Sequence, residues 1–157
     1  KLSQHTPRAI KVLRKGLRSK DVRLRQLSAL TVQGLGSKAM ATLPDLLLSL
    51  EQPRMRTYAA DAIRKLGAKT IPSLLPLLRH NKQWIRWTAI EILATFGEDA
   101  KSAIPALHKA IHDPVTPVRI AAARALSQIE QQDDDDDDEP PTPRAQPSSR
   151  PASRPAK

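Results

Sequence analysis

Four arginines, Arg25, Arg56, Arg86 and Arg119, stand 31, 30 and 33 residues apart, and each is followed by one apolar pattern. Three residues on come Ser28, Ala59, Ala89 and Ala122; four on come Ala29, Ala60, Ile90 and Ala123. Seven on come Val32, Ile63, Leu93 and Leu126, and ten on come Leu35, Leu66, Phe96 and Ile129. Offsets of 3, 4, 7 and 10 trace one face of an α-helix. The spacing predicts a buried stripe that includes Ala60, Ile63, Leu93, Ala123 and Leu126. Gly36, Gly67 and Gly97 at offset eleven predict left-handed caps, while Glu130 breaks the pattern in the last copy. A unit that recurs in this way cannot bury its own core alone, so the copies must stack.

A first helix precedes each arginine. Ile10, Leu13 and Leu17 match Ile71, Leu74 and Leu78, and these match Ile104, Leu107 and Ile111. The second copy fits with Leu43, Leu46 and Leu50 once its turn is shortened by two residues. Pro44, Pro72 and Pro105 sit near the helix starts, where a missing N–H costs nothing. The expected units are four helical hairpins at roughly 7–36, 42–67, 70–97 and 103–130, within one domain over 1–132.

The pattern resembles HEAT repeats, in particular the short HEAT-like kind first described in phycobilisome lyases. The run from Gly97 to Leu107 is similar to that family's linker and first helix. Asp113-Pro114, then Val118, Arg119, Ala122, Ala123, Ala125 and Leu126, is similar to its turn and second helix, and Gly36, Ala39 and Pro44 echo the linker. The resemblance spans about 7–132 and implies an all-α fold, a right-handed α-solenoid of four HEAT-like hairpins with the second helices on the concave side. It also implies a ladder between repeats, built from a turn Asp and the Arg six residues later. Only Asp113 and Arg119 have that spacing; Ser19, Leu50 and His80 fill the equivalent place elsewhere.

Composition narrows the function. The aromatics are Tyr58, Trp84, Trp87 and Phe96 alone, so the core is aliphatic. The absence of cysteine excludes disulfides, thiolate zinc sites, iron–sulfur clusters and a thiol nucleophile. It leaves the compartment open, with the cytoplasm favoured. No apolar run is long enough for a membrane helix, so no membrane insertion is expected. The chain lacks a start Met, and Lys1 is expected to begin a fragment of a longer protein. Residues 1–25 carry nine Lys/Arg against one Asp, while residues 133–157 carry seven acids against four bases. That last stretch, Asp133 to Asp138 followed by Pro, Ser and Arg, has no aliphatic core residue beyond Ala and is expected to be a disordered tail.

Offsets +1, +5 and +8 from each arginine lie opposite the buried stripe. They nominate Thr57, Asp61, Arg64, Trp87, Glu91 and Arg124 as a concave partner-binding surface for another protein or peptide. The competing reading packs Trp87 on Trp84 or Tyr58 as cover for the third repeat. Lys11, Arg14, Lys15 and Arg18 form a basic stripe on the first helix, a candidate polyanion contact. More often such a stripe is simply the solvated face of an end repeat. His108 and His112 share a helix face but lack an HExxH frame, so no metal site, no cofactor and no catalytic residue is expected. The iron-binding His-Glu dyads of HEAT-like hydroxylases are missing, and Asp61, Glu91 and Trp87 only loosely match the acid of HEAT-like glycosylases. The expected function is a non-catalytic protein-binding scaffold. The alternative is a basic helical-repeat module that binds nucleic acid non-specifically.

Overall fold

The computed structural model describes residues 5–130. The expected tail falls outside the described residues. Eight α-helices follow in order: α1 (His5–Leu17), α2 (Val22–Leu35), α3 (Leu43–Ser49), α4 (Arg56–Leu66), α5 (Ile71–Leu74), α6 (Gln83–Ala94), α7 (Ile104–Ala110) and α8 (Thr116–Glu130). Among the described residues there is no strand. Consecutive helices pair as hairpins, and α2, α4, α6 and α8 pack in sequence to form one layer. The chain is therefore an all-α solenoid of four helical hairpins.

The first helices of the later hairpins are short, and tight 3₁₀ segments complete them. Gly36–Thr42, Ala68–Thr70 and Gly97–Ala103 lead into α3, α5 and α7, and Pro44, Pro72 and Pro105 lie in the first two helical positions. In the third hairpin, Pro76 lacks an N–H and its ring crowds the carbonyl four residues back. The helix therefore stops at Leu74 and continues as the 3₁₀ segment Leu75–Arg79.

The expected glycine caps take a more demanding form. Gly36 has φ 53° and ψ −137°, and Gly67 has φ 91° and ψ −176°. Positive φ with extended ψ is a region that only glycine enters readily, beyond the left-handed conformation an Asn tolerates.

The repeated arginine has a local task that its spacing alone does not reveal. Arg25 Nη1 donates to the carbonyls of Ser19 (2.7 Å) and Lys20 (3.0 Å). Arg86 Nη1 does the same to His80 (2.8 Å) and Asn81 (3.2 Å), and Arg119 Nη1 to Asp113 (2.9 Å) and Pro114 (3.2 Å). Arg56 Nε reaches Leu50 O at 3.4 Å. Each arginine satisfies carbonyls left open where the first helix of its hairpin ends.

The second helices use opposite edges to meet their neighbours. Offset +4 faces the following hairpin, and Ala29, Ala60 and Ile90 are buried there. Offsets −1 and +6 face the preceding one: Met55, Ile85 and Val118 are buried, as are Ala62, Ile92 and Ala125. This geometry corrects one expectation. Ala123 is exposed, because no fifth hairpin among the described residues covers the last +4 position. Ala60, Ile63, Leu93 and Leu126 are buried as the spacing predicts.

Candidate functional site

The +1, +5 and +8 positions do not form one uniform exposed stripe. Offsets +1 and +8 lean toward the next hairpin: Gln26 Nε2 donates to Arg54 O at 3.3 Å and Gln33 Nε2 to Tyr58 O at 3.4 Å. Offset +5 looks outward, with Leu30 and Arg124 exposed and Asp61 and Glu91 half-buried. Thr57 is exposed and Arg64 half-buried.

Trp87 sits at +1 and leans the same way. With Trp84, one helical turn earlier, it borders a cavity of about 210 Å³ whose far wall is Val115, Pro117 and Val118 of the fourth hairpin. The indoles remain 39% and 42% exposed, so this hairpin junction leaves an open apolar notch between two rings and two short aliphatic side chains. The Arg56 guanidinium lies 5.4 Å from the Trp84 ring centroid, a cation–π distance that holds this indole in place. The sequence nominates Trp87 and misses Trp84, whose i, i+3 spacing on one helix face was the available signal. Val115 and Pro117 join only through tertiary packing.

A second hollow, about 430 Å³, is lined by Gln33, Asp61, Arg64, Lys65, Thr95 and Phe96. Its charges are largely spent on each other, since Arg64 Nη1 donates to Asp61 Oδ1 at 2.7 Å. Asp61 and Arg64 therefore share one hollow, whereas Trp87 borders the other; neither lining includes Thr57, Glu91 or Arg124.

Lys11, Arg14, Lys15 and Arg18 all border a cavity of about 810 Å³ at the N-terminal end. They differ in what they are free to do. Arg14 Nε donates to Asp45 Oδ2 at 2.7 Å, and Arg18 Nε donates to Asp45 Oδ1. The Asp45 side chain is fully shielded from solvent, so the two arginines clamp the first hairpin to the second. Lys11 and Lys15 are exposed.

The turns carry two further bridges. Asp113 takes a two-bond fork from Arg86 of the preceding hairpin, and Arg119 bonds the Asp113 backbone carbonyl. The ladder implied by the family resemblance is thus present at this junction, with the partner one hairpin back. Lys82 pairs with Glu51 across the second and third turns, and the Lys82 ammonium holds the Glu51 carboxyl below its usual range. Among the described residues no three His, Asp or Glu side chains gather as a metal site. His108 Nε2 lies 3.8 Å from Glu130 Oε1. No helix among those residues is long and apolar enough to cross a membrane.

Stacked hairpins with arginine-capped turns and a layer of second helices define an α-helical repeat protein. Within that class the chain is similar to HEAT repeats, whose family model matches residues 71–139. The chain is also 33% identical over 91 residues to the stalled ribosome sensor GCN1 of Mus musculus, and equally to that of Homo sapiens. Each match covers 47% of this chain and 3% of the relative, so the chain spans a small fraction of these proteins. Among solved structures, the complex of CpcE and CpcF of phycocyanin lyase from Nostoc sp. PCC7120 is similar, at a TM-score of 0.45 and 22% identity, over 78% of this chain and 65% of that one.

Proposed function

We propose that this solenoid is a non-catalytic scaffold that binds another protein through the Trp84–Trp87 notch. The observation that carries this reading is the pair of half-exposed indoles facing Val115, Pro117 and Val118 across an open cavity. Rigid, flat aromatic surface beside aliphatic side chains is what a leucine or aromatic anchor of a partner helix or peptide buries. Arg56, stacked over Trp84, supplies a polar group beside the notch that orients such a ligand. The partial likeness to the stalled ribosome sensor GCN1 supports a scaffold role. The reading as a nucleic-acid binder draws on Lys11 and Lys15, but Arg14 and Arg18 are already paired with Asp45.

The test is affinity capture with the full chain at low and high salt, beside a Trp84→Ala/Trp87→Ala variant. A protein retained by the parent at both salt concentrations, and lost with the variant, supports the notch. Retention of nucleic acid that disappears steeply with salt and ignores the tryptophans supports the polyanion reading instead.

A further inference from the structure

Hydrogen-bonding capacity around the Trp84–Trp87 notch is one-sided. The acceptors beside it are already engaged. Asp113 takes the fork from Arg86 and the N–H of Val115. Thr116 Oγ1 accepts from Arg119 Nη2, and the Trp84 carbonyl accepts from the Thr88 hydroxyl at 2.7 Å. The donors are not engaged in this way. Among the described residues neither indole N–H has an acceptor, and no side chain caps the first turn of α6, which begins at Gln83 and Trp84. The Arg56 guanidinium over Trp84 can only donate. No carboxylate lines the notch. The site therefore offers positive partial charge and flat aromatic faces, and its complement is a chain rich in free carbonyls.

We infer, on the reading of this notch as the binding site, that its ligand is a proline-rich segment of another protein in the polyproline II conformation. An amphipathic helix spends its backbone carbonyls on its own ladder, and an added strand would bring N–H groups with nothing to receive them. Proline has no N–H, and polyproline II leaves every carbonyl without an internal partner. Size agrees. A hollow of about 210 Å³ accepts a ring, not the flank of a helix about 10–12 Å across. Cβ atoms at i and i+3 of a helix are about 5–6 Å apart, so one pyrrolidine ring can touch both indoles. Val115, Pro117 and Val118 close the far side. A segment already extended loses little conformational entropy on docking.

Trp84 and Trp87 are the only tryptophans in the chain, so their emission reports the notch itself. The full chain is titrated with decaproline, with an amphipathic helical peptide and with decaglutamate. Decaproline is expected to shift the emission saturably, and the other two to leave it unmoved. Trp87→Ala, read through Trp84, should weaken decaproline at least about tenfold. Trp84→Phe, read through Trp87, keeps a ring but loses an N–H and should weaken it about two- to tenfold. Circular dichroism verifies that both variants fold. Saturation by the helical peptide or by decaglutamate in place of decaproline overturns the assignment, as does decaproline binding that ignores Trp87→Ala. No response to decaproline overturns it too; the notch as a binding site falls only if Trp84→Ala/Trp87→Ala also leaves the captured protein in place.

Discussion

Arg86 and Asp113 form a two-bond fork across the junction of the third and fourth hairpins, with Nε to Oδ2 at 2.7 Å and Nη2 to Oδ1 at 2.8 Å. The two side chains are only 11% and 8% exposed, and the third nitrogen of the same guanidinium caps the His80 carbonyl. One side chain therefore closes its own turn and fastens the next hairpin. Asp113 Oδ1 also accepts from the Val115 N–H at 2.9 Å, which shapes the fourth turn.

Removing the acid should loosen this junction. Asp113→Ala is expected to cost about 1.5–3 kcal/mol, the range for hydrogen bonds to charged groups. Arg86→Lys should lose much of the same, because an ammonium cannot form the fork. The pH dependence follows in sign. The hydrogen bonds from Arg86 hold the Asp113 carboxyl below its usual range, against the opposing effect of burial. A depressed carboxyl contributes stability that is present above its unfolded value and is lost as pH falls through the folded one. Urea midpoints should therefore decline below about pH 4 in the parent, and Asp113→Asn should flatten part of that decline. An unchanged acid limb in the variant refutes the assignment.

Two glycines in the first hairpin should respond oppositely to alanine. A Cβ at Gly16 would lie 2.0 Å from Ser28 Oγ and 3.1 Å from Ser28 Cβ, where α1 and α2 touch. Ser28 Oγ is itself held by Leu24 O at 2.8 Å, so it does not yield freely. Gly16→Ala should cost about 1–3 kcal/mol, and Ser28→Ala in the same chain should restore part of it. Gly34 lies inside α2 with open space beside it, so Gly34→Ala should gain about 0.5–1 kcal/mol. Thermal melts of the four proteins decide both signs.

The four hairpins were legible because a helix face needs a 3, 4, 7, 10 pattern and a solenoid repeats it. Leu93 and Ile63 could be placed in the core from spacing alone. Ala123 could not, because burial at +4 depends on whether another hairpin follows. The arginine register was visible, but its purpose was not: Arg86 reaches Asp113 across 27 residues, and the capped carbonyls belong to backbone that has no sequence signature. Trp87 stood out as an exposed candidate, whereas its partners Val115 and Pro117 come from the next hairpin and needed coordinates. The stripe of Lys11, Arg14, Lys15 and Arg18 read as one patch because Asp45, which separates its members by role, lies 27 residues or more away.

The core prediction follows from the same contrast. Leu93 is wholly buried, so Leu93→Ala should cost about 2–5 kcal/mol. Ala123→Ser on the bare edge of α8 should stay within about 0.5 kcal/mol of the parent. A urea titration in which both changes act alike would mean that the edge of α8 is covered.

The basic stripe should divide in two under mutation. Arg14→Ala with Arg18→Ala strips the shielded Asp45 carboxylate of both cations, and leaving that acceptor unsatisfied should cost about 1–3 kcal/mol. Adding Asp45→Ala to that pair should recover much of the loss, since the orphaned charge is then gone. Lys11→Ala with Lys15→Ala touches only exposed side chains and should leave the melting temperature nearly unchanged. Heparin binding should show the reverse order. Each free lysine contributes about one unit to the salt slope of polyanion affinity, whereas Arg14 and Arg18 already have an anion and should contribute less. Heparin affinity against salt and thermal melts, measured on the same three variants, separate the two roles. Should the arginine pair cost as much heparin affinity as the lysine pair while leaving the melt unmoved, all four residues act as one polyanion surface and Asp45 is no clamp.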